Sequence, residues 1–492
     1  MNRDLATRIF LTACLVLAAQ PLSARQAQQA SATAAAAQVA TDPDTTLSVT
    51  RHQITIGSRV LRYTATTGYL PMRAEDGTPE AWIFFIAYTA DDADRATWPV
   101  TFTYNGGPGS SSVWLHMGAL GPRRIRLTDS GDQLPPPAQF ANNEETWLDF
   151  TDLVFIDPVL TGFSRPAQGK DKSLFTGVEE DIRSVGDFIR LFTTRFERWA
   201  SPRFLAGESY GTFRSAGVAQ YLQQRHGMYI SGISLISSVL DLKTLVFTPG
   251  HDLPYALYLP AYTAVAWYHR KLPADLQALP LADAVQRARD FADNDYVRAL
   301  QRGSALAADE HARVRAGIAR FAGLSEDFVE RADLRVSDQR FFKELARADG
   351  ETIGRLDARF RGHDRDAAGE TVESDPSYAA IRGPFTGVLN EYLRRELSYR
   401  NEMTYEILGG RVQPWNWYGN ATGYTNLATP VSATEYTFRH LGGDPALPER
   451  VRMTYYESGH MMYIHAPSLR QFTEDARAFY AATLRRRATT RP

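Results

Sequence analysis

Residues 203–221, RFLAGESYGTFRSAGVAQY, are the stretch that decides the fold. A short apolar run enters Gly207, Ser209 and Gly211 in the pattern G-x-S-x-G, and apolar residues at helical spacing follow it. This pattern places a serine on a tight turn between a strand and a helix, with its hydroxyl clear of the backbone. The N-terminal end of that helix favours negative charge beside the serine. The stretch predicts Ser209 as a nucleophile, with a serine in an ordinary strand-to-helix turn as the alternative.

The composition is that of a globular protein with a large core. The chain has 492 residues, of which 44% are hydrophobic and 22% are charged, enough for a domain with a substantial insertion. A formal net charge of −2 gives neither a basic field for nucleic acid nor a polybasic patch for a membrane surface. We therefore expect no nucleic-acid partner.

The N-terminus has the layout of a secretory signal peptide. Two arginines precede an apolar run over residues 9–19, and a small-residue site, LSA, follows at residues 22–24. We expect a signal peptide over residues 1–24 and a periplasmic or secreted protein. The run is short for a bilayer span of roughly 20 residues, so that no stable membrane anchor is expected; an anchor and lipidation at Cys14 are the alternatives. Cys14 is the only cysteine, and a mature chain without it has no disulfide.

The remaining chain divides by pattern into four segments. Residues 25–45, rich in Gln, Ala, Ser and Thr, are predicted to be a disordered spacer. Strands alternating with helices over residues 46–248 imply a mostly parallel sheet covered on both faces. Charged, Ala-rich and Arg-rich helical patterns over residues 249–400 predict a helical cap inserted in that core. Residues 401–486 form its second part, where strand character returns at residues 451–456.

A second glycine-rich turn, NGGPGSSS, occupies residues 105–112 directly after a predicted strand. Such a turn can cradle phosphate or aim backbone N–H groups at an oxyanion. No lysine follows at P-loop spacing and no G-x-G-x-x-G is present, which favours the oxyanion role. A purely structural turn is the alternative.

His460 lies in the run ESGHMM after the predicted strand at residues 451–456. The loop after a late strand, downstream of the serine, is where an α/β hydrolase keeps its general base. His440 and His465, in predicted helical or helix-start positions, are the alternatives. No metal-ligand spacing or cofactor motif stands out, so we expect neither a metal nor a cofactor.

Seven segments together resemble the serine carboxypeptidases of peptidase family S10, of the bacterial exported type. They are TYNGGPGSSSVW, GALGP, DPVLTGFS, GESYG, ISSVLD, LATPVSATEY and SGHMM, and the resemblance extends over most of the chain from about residue 51 to residue 484. The resemblance implies an α/β-hydrolase fold with a mostly parallel central sheet and an inserted helical cap. It also implies release of C-terminal amino acids from peptides.

The resemblance assigns a role to each motif. Ser209 would form the acyl-enzyme and His460 would act as general base. The backbone N–H groups of Gly107 and Tyr210 would form the oxyanion hole.

Two further side chains, those of Asn105 and Glu208, would by resemblance hydrogen-bond the free C-terminal carboxylate of a peptide. Glu208 can make that bond only when it is protonated, since two carboxylates in contact repel. Peptides with a free C-terminus are therefore the expected partners.

Three positions depart from the family pattern. Ala119 in GALGP replaces a second acidic residue, and Leu160 stands where a glycine is usual, a change expected to cost little. The third is Asn426 in GYTNLATP, at the position of the acid of the catalytic triad. Either the acid is substituted, or a deletion joins GYTN directly to LATP.

Loss of the triad acid would leave the imidazole without the carboxylate that fixes its tautomer, which can lower turnover by about ten-thousandfold. Asp444 or Glu457 could replace that acid. Two other functions therefore stay open: a catalytically impaired relative that binds peptide carboxylates, and an esterase or acyltransferase using the same site.

Overall fold

The computed structural model describes residues 42–416, 429–442 and 445–489. All described residues except residues 42 and 43 belong to one compact unit, Asp44–Pro492. The expected signal peptide lies outside the described residues, as do Asn426 and Asp444.

The described strands are short except for the first three. They are β1 (Ser48–Ile56), β2 (Arg59–Arg73), β3 (Pro79–Ala90), β4 (Val100–Tyr104), β5 (Arg123–Ile125), β6 (Phe140–Asn142), β7 (Asp152–Ile156), β8 (Arg165–Pro166), β9 (Arg203–Glu208), β10 (Gly232–Ile236), β11 (Thr352–Ile353) and β12 (Arg361–Gly362).

The central sheet has the strand order β1-β2-β3-β7-β4-β9-β10, with β8 added beside β3. The four strands β7, β4, β9 and β10 run parallel to one another. Short turns connect β1, β2 and β3, which pair antiparallel, and β3 also pairs antiparallel with β7 and β8. The sheet is therefore mixed, and it is parallel in the half that carries Ser209.

The main helices follow the parallel strands and fill the insertion. They are α1 (Val178–Arg195), α2 (Tyr210–His226), α3 (Leu253–Tyr268), α4 (Leu281–Phe291), α5 (Val297–Arg302), α6 (Ala308–Ala322), α7 (Glu326–Arg331), α8 (Asp338–Glu344), α9 (Pro376–Arg395), α10 (Val431–His440) and α11 (Ala466–Thr489). A π-helical turn, Ala292–Tyr296, joins α4 to α5.

Both faces of the sheet are covered, because successive side chains of a strand point to opposite faces. On β9, Leu205 packs in a core with residues of α1 and α2. Phe204 and Ala206 pack in the opposite core, with residues of α9 and α11. This layered arrangement, with Ser209 at the end of a central parallel strand, is that of an α/β hydrolase and confirms the predicted fold.

The inserted helices have a hydrophobic core of their own. It contains buried residues of α3, α4, α6 and α8 and extends to Ile353 on β11. The helix α9 lies within the predicted cap segment, yet its buried side chains pack in the core of the sheet. The helical insertion is therefore anchored to the sheet through its last helix.

The predicted strand at residues 451–456 is wrong. These residues have no regular secondary structure and pair with no strand in the described part of the chain. Side chains hold the segment in place: Tyr456 donates a hydrogen bond to Asp475 on α11, and Tyr455 donates one to Glu435 on α10. Strand character in the sequence is not sufficient, because a strand also needs a partner to accept and donate its backbone hydrogen bonds.

No helix of the described residues is long and apolar enough to cross a membrane.

Candidate active site

Ser209 sits on the turn between β9 and α2 in a strained backbone conformation. Its φ of 58° and ψ of −130° lie outside the regions that most non-glycine residues adopt. The Ser209 N–H donates to the carbonyl of Ile236 at 3.0 Å, which ties the turn to the end of β10. A Cβ at Gly207 would lie 2.2 Å from the carbonyl oxygen of Gly211, so that no larger residue fits there. The strain is that of a nucleophile elbow.

The glycine-rich turn after β4 lies against this elbow. A Cβ at Gly106 would come within 2.5 Å of the Tyr210 nitrogen and 2.7 Å of the Glu208 carbonyl oxygen. Gly107, with a φ of +105°, adopts a conformation that favours glycine. The backbone of the turn and the first residue of α2 are thus adjacent, as the predicted oxyanion hole requires.

One cavity brings most of the predicted site residues together. Its lining includes Asn105, Gly107, Glu208, Ser209 and His460. These residues come from the ends of two neighbouring parallel strands, β4 and β9, and from a segment more than 200 positions downstream of the elbow. Tyr210 adjoins the cavity through its backbone nitrogen beside Gly106.

Glu208 is a buried carboxyl with two hydrogen-bond donors on one oxygen. Its Oε2 accepts from the Asn105 amide at 2.5 Å and from the Tyr463 hydroxyl at 2.7 Å. Burial raises the pKa of Glu208 to about 8, against the lowering effect of the two hydrogen bonds. Glu208 is therefore protonated at neutral pH and can donate a hydrogen bond. Tyr463 was missed by sequence reasoning, although it lies only three residues after His460.

His460 has one nitrogen without a partner. Its Nδ1 is buried and neither accepts nor donates a hydrogen bond within the described residues. Burial, with a smaller contribution from the charge of Arg355, lowers the pKa of His460 to about 3. The imidazole is accordingly neutral over the physiological pH range. Its backbone N–H donates to the carbonyl of Leu356 at 2.6 Å, which fixes the loop against the insertion.

Three of the other candidates for the base and the acid, namely His440, His465 and Glu457, do not line this cavity. His440 is exposed at the end of α10 and bonds to the carbonyl of Tyr436, and His465 bonds to the Ser468 hydroxyl. Glu457 is exposed. Asn426 and Asp444 lie outside the described residues, so the structure assigns neither of them as the third member of the triad.

A second buried carboxylate holds the glycine-rich turn from behind. Oδ1 of Asp157 accepts hydrogen bonds from the Ser112 N–H at 2.9 Å, the Ser112 hydroxyl at 2.8 Å and the Tyr405 hydroxyl at 3.1 Å. Burial raises the pKa of Asp157 to about 6. The motif DPVLTGFS thus supports the site without lining it.

The backbone conformation of the nearby Leu160 costs more free energy than expected. It has a φ of 72°, which an L-residue other than glycine adopts at a cost of roughly 1–2 kcal/mol. The glycine usual at this position in the family would avoid that cost. Ala119, the replacement for the second acidic residue, is buried in the core and leaves no charge there.

A buried ion pair lies beneath the site. Arg214 on α2 donates to Asp181 on α1 at 2.7 Å and to the backbone carbonyl of Asn105 at 2.6 Å, and both charged side chains are buried. Its guanidinium also lies 5.1 Å from the ring of Tyr210. Arg214 therefore fixes Asn105 and Tyr210 relative to each other. Sequence reasoning missed this pair, because nothing local links positions 181 and 214.

No group of three or more His, Cys, Asp or Glu side chains that could hold a metal ion is found in the described part of the chain.

Comparison with known proteins finds serine carboxypeptidases among the similar proteins. The family model Peptidase_S10, serine carboxypeptidase, matches residues 57–244. Carboxypeptidase Y of Schizosaccharomyces pombe is 29% identical over 198 residues, which are 39% of this chain and 18% of that protein. The pheromone-processing carboxypeptidase KEX1 of Komagataella phaffii is 37% identical over 159 residues, which are 31% of this chain and 22% of that protein. The chain thus spans about a fifth of the length of these relatives.

Among solved structures, the prohormone-processing carboxypeptidase KEX1(delta)P of Saccharomyces cerevisiae aligns with 70% of this chain and 67% of its own. Its sequence is 18% identical and the TM-score is 0.40. The family match covers the Gly-rich turn, the DPVLTGFS segment and the elbow, which are the parts that position Ser209. Over residues 57–244, this chain is similar to the serine carboxypeptidase family, Peptidase_S10.

Proposed function

We propose that this protein is a serine-type carboxypeptidase that releases C-terminal amino acids from peptides. The observation that carries the proposal is Glu208, a carboxyl whose pKa is raised to about 8 and which lines one cavity with Ser209. A neutral carboxyl can donate a hydrogen bond to a peptide carboxylate, and the amide of Asn105 beside it can donate another. An internal peptide bond offers no carboxylate to these donors, so the site favours chain ends.

The reaction proposed for this geometry is acyl transfer in two steps. The Ser209 hydroxyl attacks the carbonyl of the last peptide bond while His460 takes its proton. The N–H groups of Gly107 and Tyr210 stabilise the oxyanion that forms. His460 then gives its proton to the departing amine, and water hydrolyses the acyl-enzyme by the same route in reverse.

A second candidate is an impaired relative that binds peptide carboxylates and turns them over slowly. The observation that favours it is Nδ1 of His460, which has no hydrogen-bond partner among the described residues. Without an acceptor there, the imidazolium formed in the reaction is not stabilised. An esterase or acyltransferase would use the same nucleophile with a different leaving group or acceptor.

We also propose that the protein is exported, in the manner of a bacterial secreted or periplasmic enzyme. Support comes from the two arginines, the apolar run and the LSA site within residues 1–24. Peptides with a free C-terminus are its proposed partners.

The test combines labelling of the nucleophile with peptide turnover. Purified mature protein is treated with a fluorophosphonate probe and separately with N-acylated Phe-Leu, its C-terminal amide and a blocked Phe ester. We expect labelling and release of Leu, both lost in Ser209→Ala and retained in Ser58→Ala, a serine in the exposed turn between β1 and β2. Labelling without release of Leu would favour the impaired relative. Turnover of the ester alone would favour an esterase, and Leu release by Ser209→Ala would overturn the proposal.

A further inference from the structure

We propose that Arg355, from the helical insertion, binds a carboxylate group of the substrate beside Ser209 and His460. The inference rests on the proposed function and deepens it. It assigns a substrate-binding residue to a segment that none of the sequence motifs includes.

Arg355 belongs to the active-site cavity although it comes from a distant part of the chain. It follows β11 by two positions and lines the same cavity as Ser209 and His460. The next residue, Leu356, accepts the backbone hydrogen bond of His460 at 2.6 Å. The insertion therefore brings a guanidinium next to the proposed general base.

The positive charge of Arg355 is incompletely compensated. Its Nη1 is buried and has no hydrogen-bond partner in the described part of the chain. The nearest carboxylate oxygen of Asp375 lies 3.8 Å from Nε, beyond hydrogen-bond distance. The other oxygen of Asp375 accepts from backbone N–H groups, including those of Ser377 and Arg355 itself. Since a guanidinium stays protonated in proteins, a buried Nη1 without an acceptor costs free energy until an anion binds.

The cavity offers that anion a place. About a fifth of the Arg355 side chain stays exposed. Among the described residues that line the cavity, Arg355 is the only Arg or Lys, and Glu208 is the only acid. Glu208 is neutral below about pH 8, so Arg355 is the charged side chain of this lining. A carboxylate matches the planar fork of a guanidinium and can accept two hydrogen bonds from it.

Binding of a carboxylate here would also act on the base. The charge of Arg355 contributes to the lowered pKa of His460. A bound carboxylate would offset this charge and make the imidazole a stronger base when substrate is present. A ligand without a carboxylate would leave the unfavourable charge in place.

The carboxylate can come from two sources, the C-terminus of the peptide or an acidic side chain next to the scissile bond. Equilibrium binding to the inactive Ser209→Ala protein separates them. One pair of ligands is N-acylated Phe-Leu and its C-terminal amide, which differ in the terminal carboxylate. The other pair is N-acyl-Phe-Glu-amide and N-acyl-Phe-Gln-amide, which differ only in the side-chain carboxylate.

We expect the charged member of at least one pair to bind about tenfold to a hundredfold more tightly, and Arg355→Gln to reduce that preference by about tenfold. Arg355→Lys should retain part of it, because it keeps the charge but not the fork. Arg361→Gln, on the neighbouring β12 and outside the cavity lining, should leave the preference unchanged. A change in the preference for the charged ligand indicates that Arg355 binds the carboxylate. If Arg355 only held Asp375 in place, its replacement would weaken the binding of both ligands of a pair equally.

If the Ser209→Ala protein and the Ser209→Ala/Arg355→Gln protein preferred the charged ligands to the same degree, the inference would be overturned and the proposed function would stand. Failure of every peptide to bind would overturn both. Thermal unfolding of each variant shows whether it is folded. If Arg355→Gln does not fold, the ligand preference of Arg355→Lys is compared with that of the parent protein instead.

Discussion

The Tyr463 hydroxyl donates a hydrogen bond of 2.7 Å to Oε2 of Glu208, although the two residues lie 255 positions apart in the chain. The Asn105 amide donates to the same oxygen. With Oε2 occupied by two donors, the proton of the neutral carboxyl is carried by Oε1. The arrangement therefore prepares Glu208 to act as a hydrogen-bond donor, which is unusual for a carboxyl at neutral pH.

Peptidase activity should fall as the pH rises through about 8. Glu208 must be protonated to bind a carboxylate, and its pKa is raised to about 8. His460, with a pKa lowered to about 3, stays neutral throughout this range. The pH profile of kcat/KM for N-acylated Phe-Leu checks this, because it reports on groups of the free enzyme.

The control for this profile is Glu208→Gln, which cannot ionise and keeps a donor beside Asn105. We expect it to remove the loss of activity near pH 8 and to lower kcat/KM by about tenfold at pH 6. An unchanged alkaline limb in Glu208→Gln would show that another group sets it.

Replacement of Tyr463 by Phe should shift the alkaline limb of the kcat/KM profile, the loss of activity near pH 8, to higher pH. The hydrogen bond from Tyr463 lowers the pKa of Glu208, so its loss raises that pKa. The free energy of unfolding should fall by about 1 kcal/mol. The pH profile and urea unfolding measure the two effects, with Tyr455→Phe, at an exposed hydroxyl bonded to Glu435, as the control. A limb displaced to lower pH would contradict the assigned role of Tyr463.

Gly106→Ala should abolish most of the activity. Its new Cβ would lie 2.5–2.8 Å from three backbone atoms of the elbow, at Tyr210, Glu208 and Gly211, and none of them can rotate away. We expect a loss of at least about a hundredfold in kcat/KM and a destabilisation of roughly 1–3 kcal/mol. Gly387→Ala on α9, where a Cβ meets nothing within 4 Å, should be neutral or slightly stabilising. Full activity of Gly106→Ala would show that the turn does not form part of the oxyanion hole.

Asp157→Asn should change how stability depends on pH. Burial raises the pKa of Asp157 above its value in the unfolded chain, so the folded state binds the proton more tightly. Its stabilising effect is complete below about pH 4 and is lost as the pH rises through about 6, by roughly 2–3 kcal/mol in total. Urea unfolding at pH 5 and pH 8 should show the variant more destabilised, relative to the wild type, at the lower pH. The opposite trend would mean that Asp157 is ionised and stabilised by its three donors.

The nucleophile elbow and the fold around it could be predicted from sequence because they depend on local requirements. Gly207 and Gly211 are needed wherever a strand turns this tightly into a helix. Asn105 and His460 came from family motifs, and the structure brings both to the cavity with Ser209.

Features that depend on contacts between distant segments could not be predicted. No periodicity links Tyr463 to Glu208 or places Arg355 beside His460. The pattern at residues 451–456 predicted a strand, which was wrong because the residues themselves do not determine whether a neighbouring strand pairs with them. The strain at Leu160 likewise becomes visible only in its backbone angles.

The central claim, that this cavity processes the free ends of peptides, is tested most directly by one ratio. It is kcat/KM for N-acylated Phe-Leu divided by that for the C-terminal amide of the same dipeptide, measured at pH 6. We predict a ratio of at least about a hundred for the wild type, decreasing in Glu208→Gln and at pH above 8. A ratio near one, with turnover that still depends on Ser209, would contradict the account and identify a hydrolase that does not recognise the carboxylate.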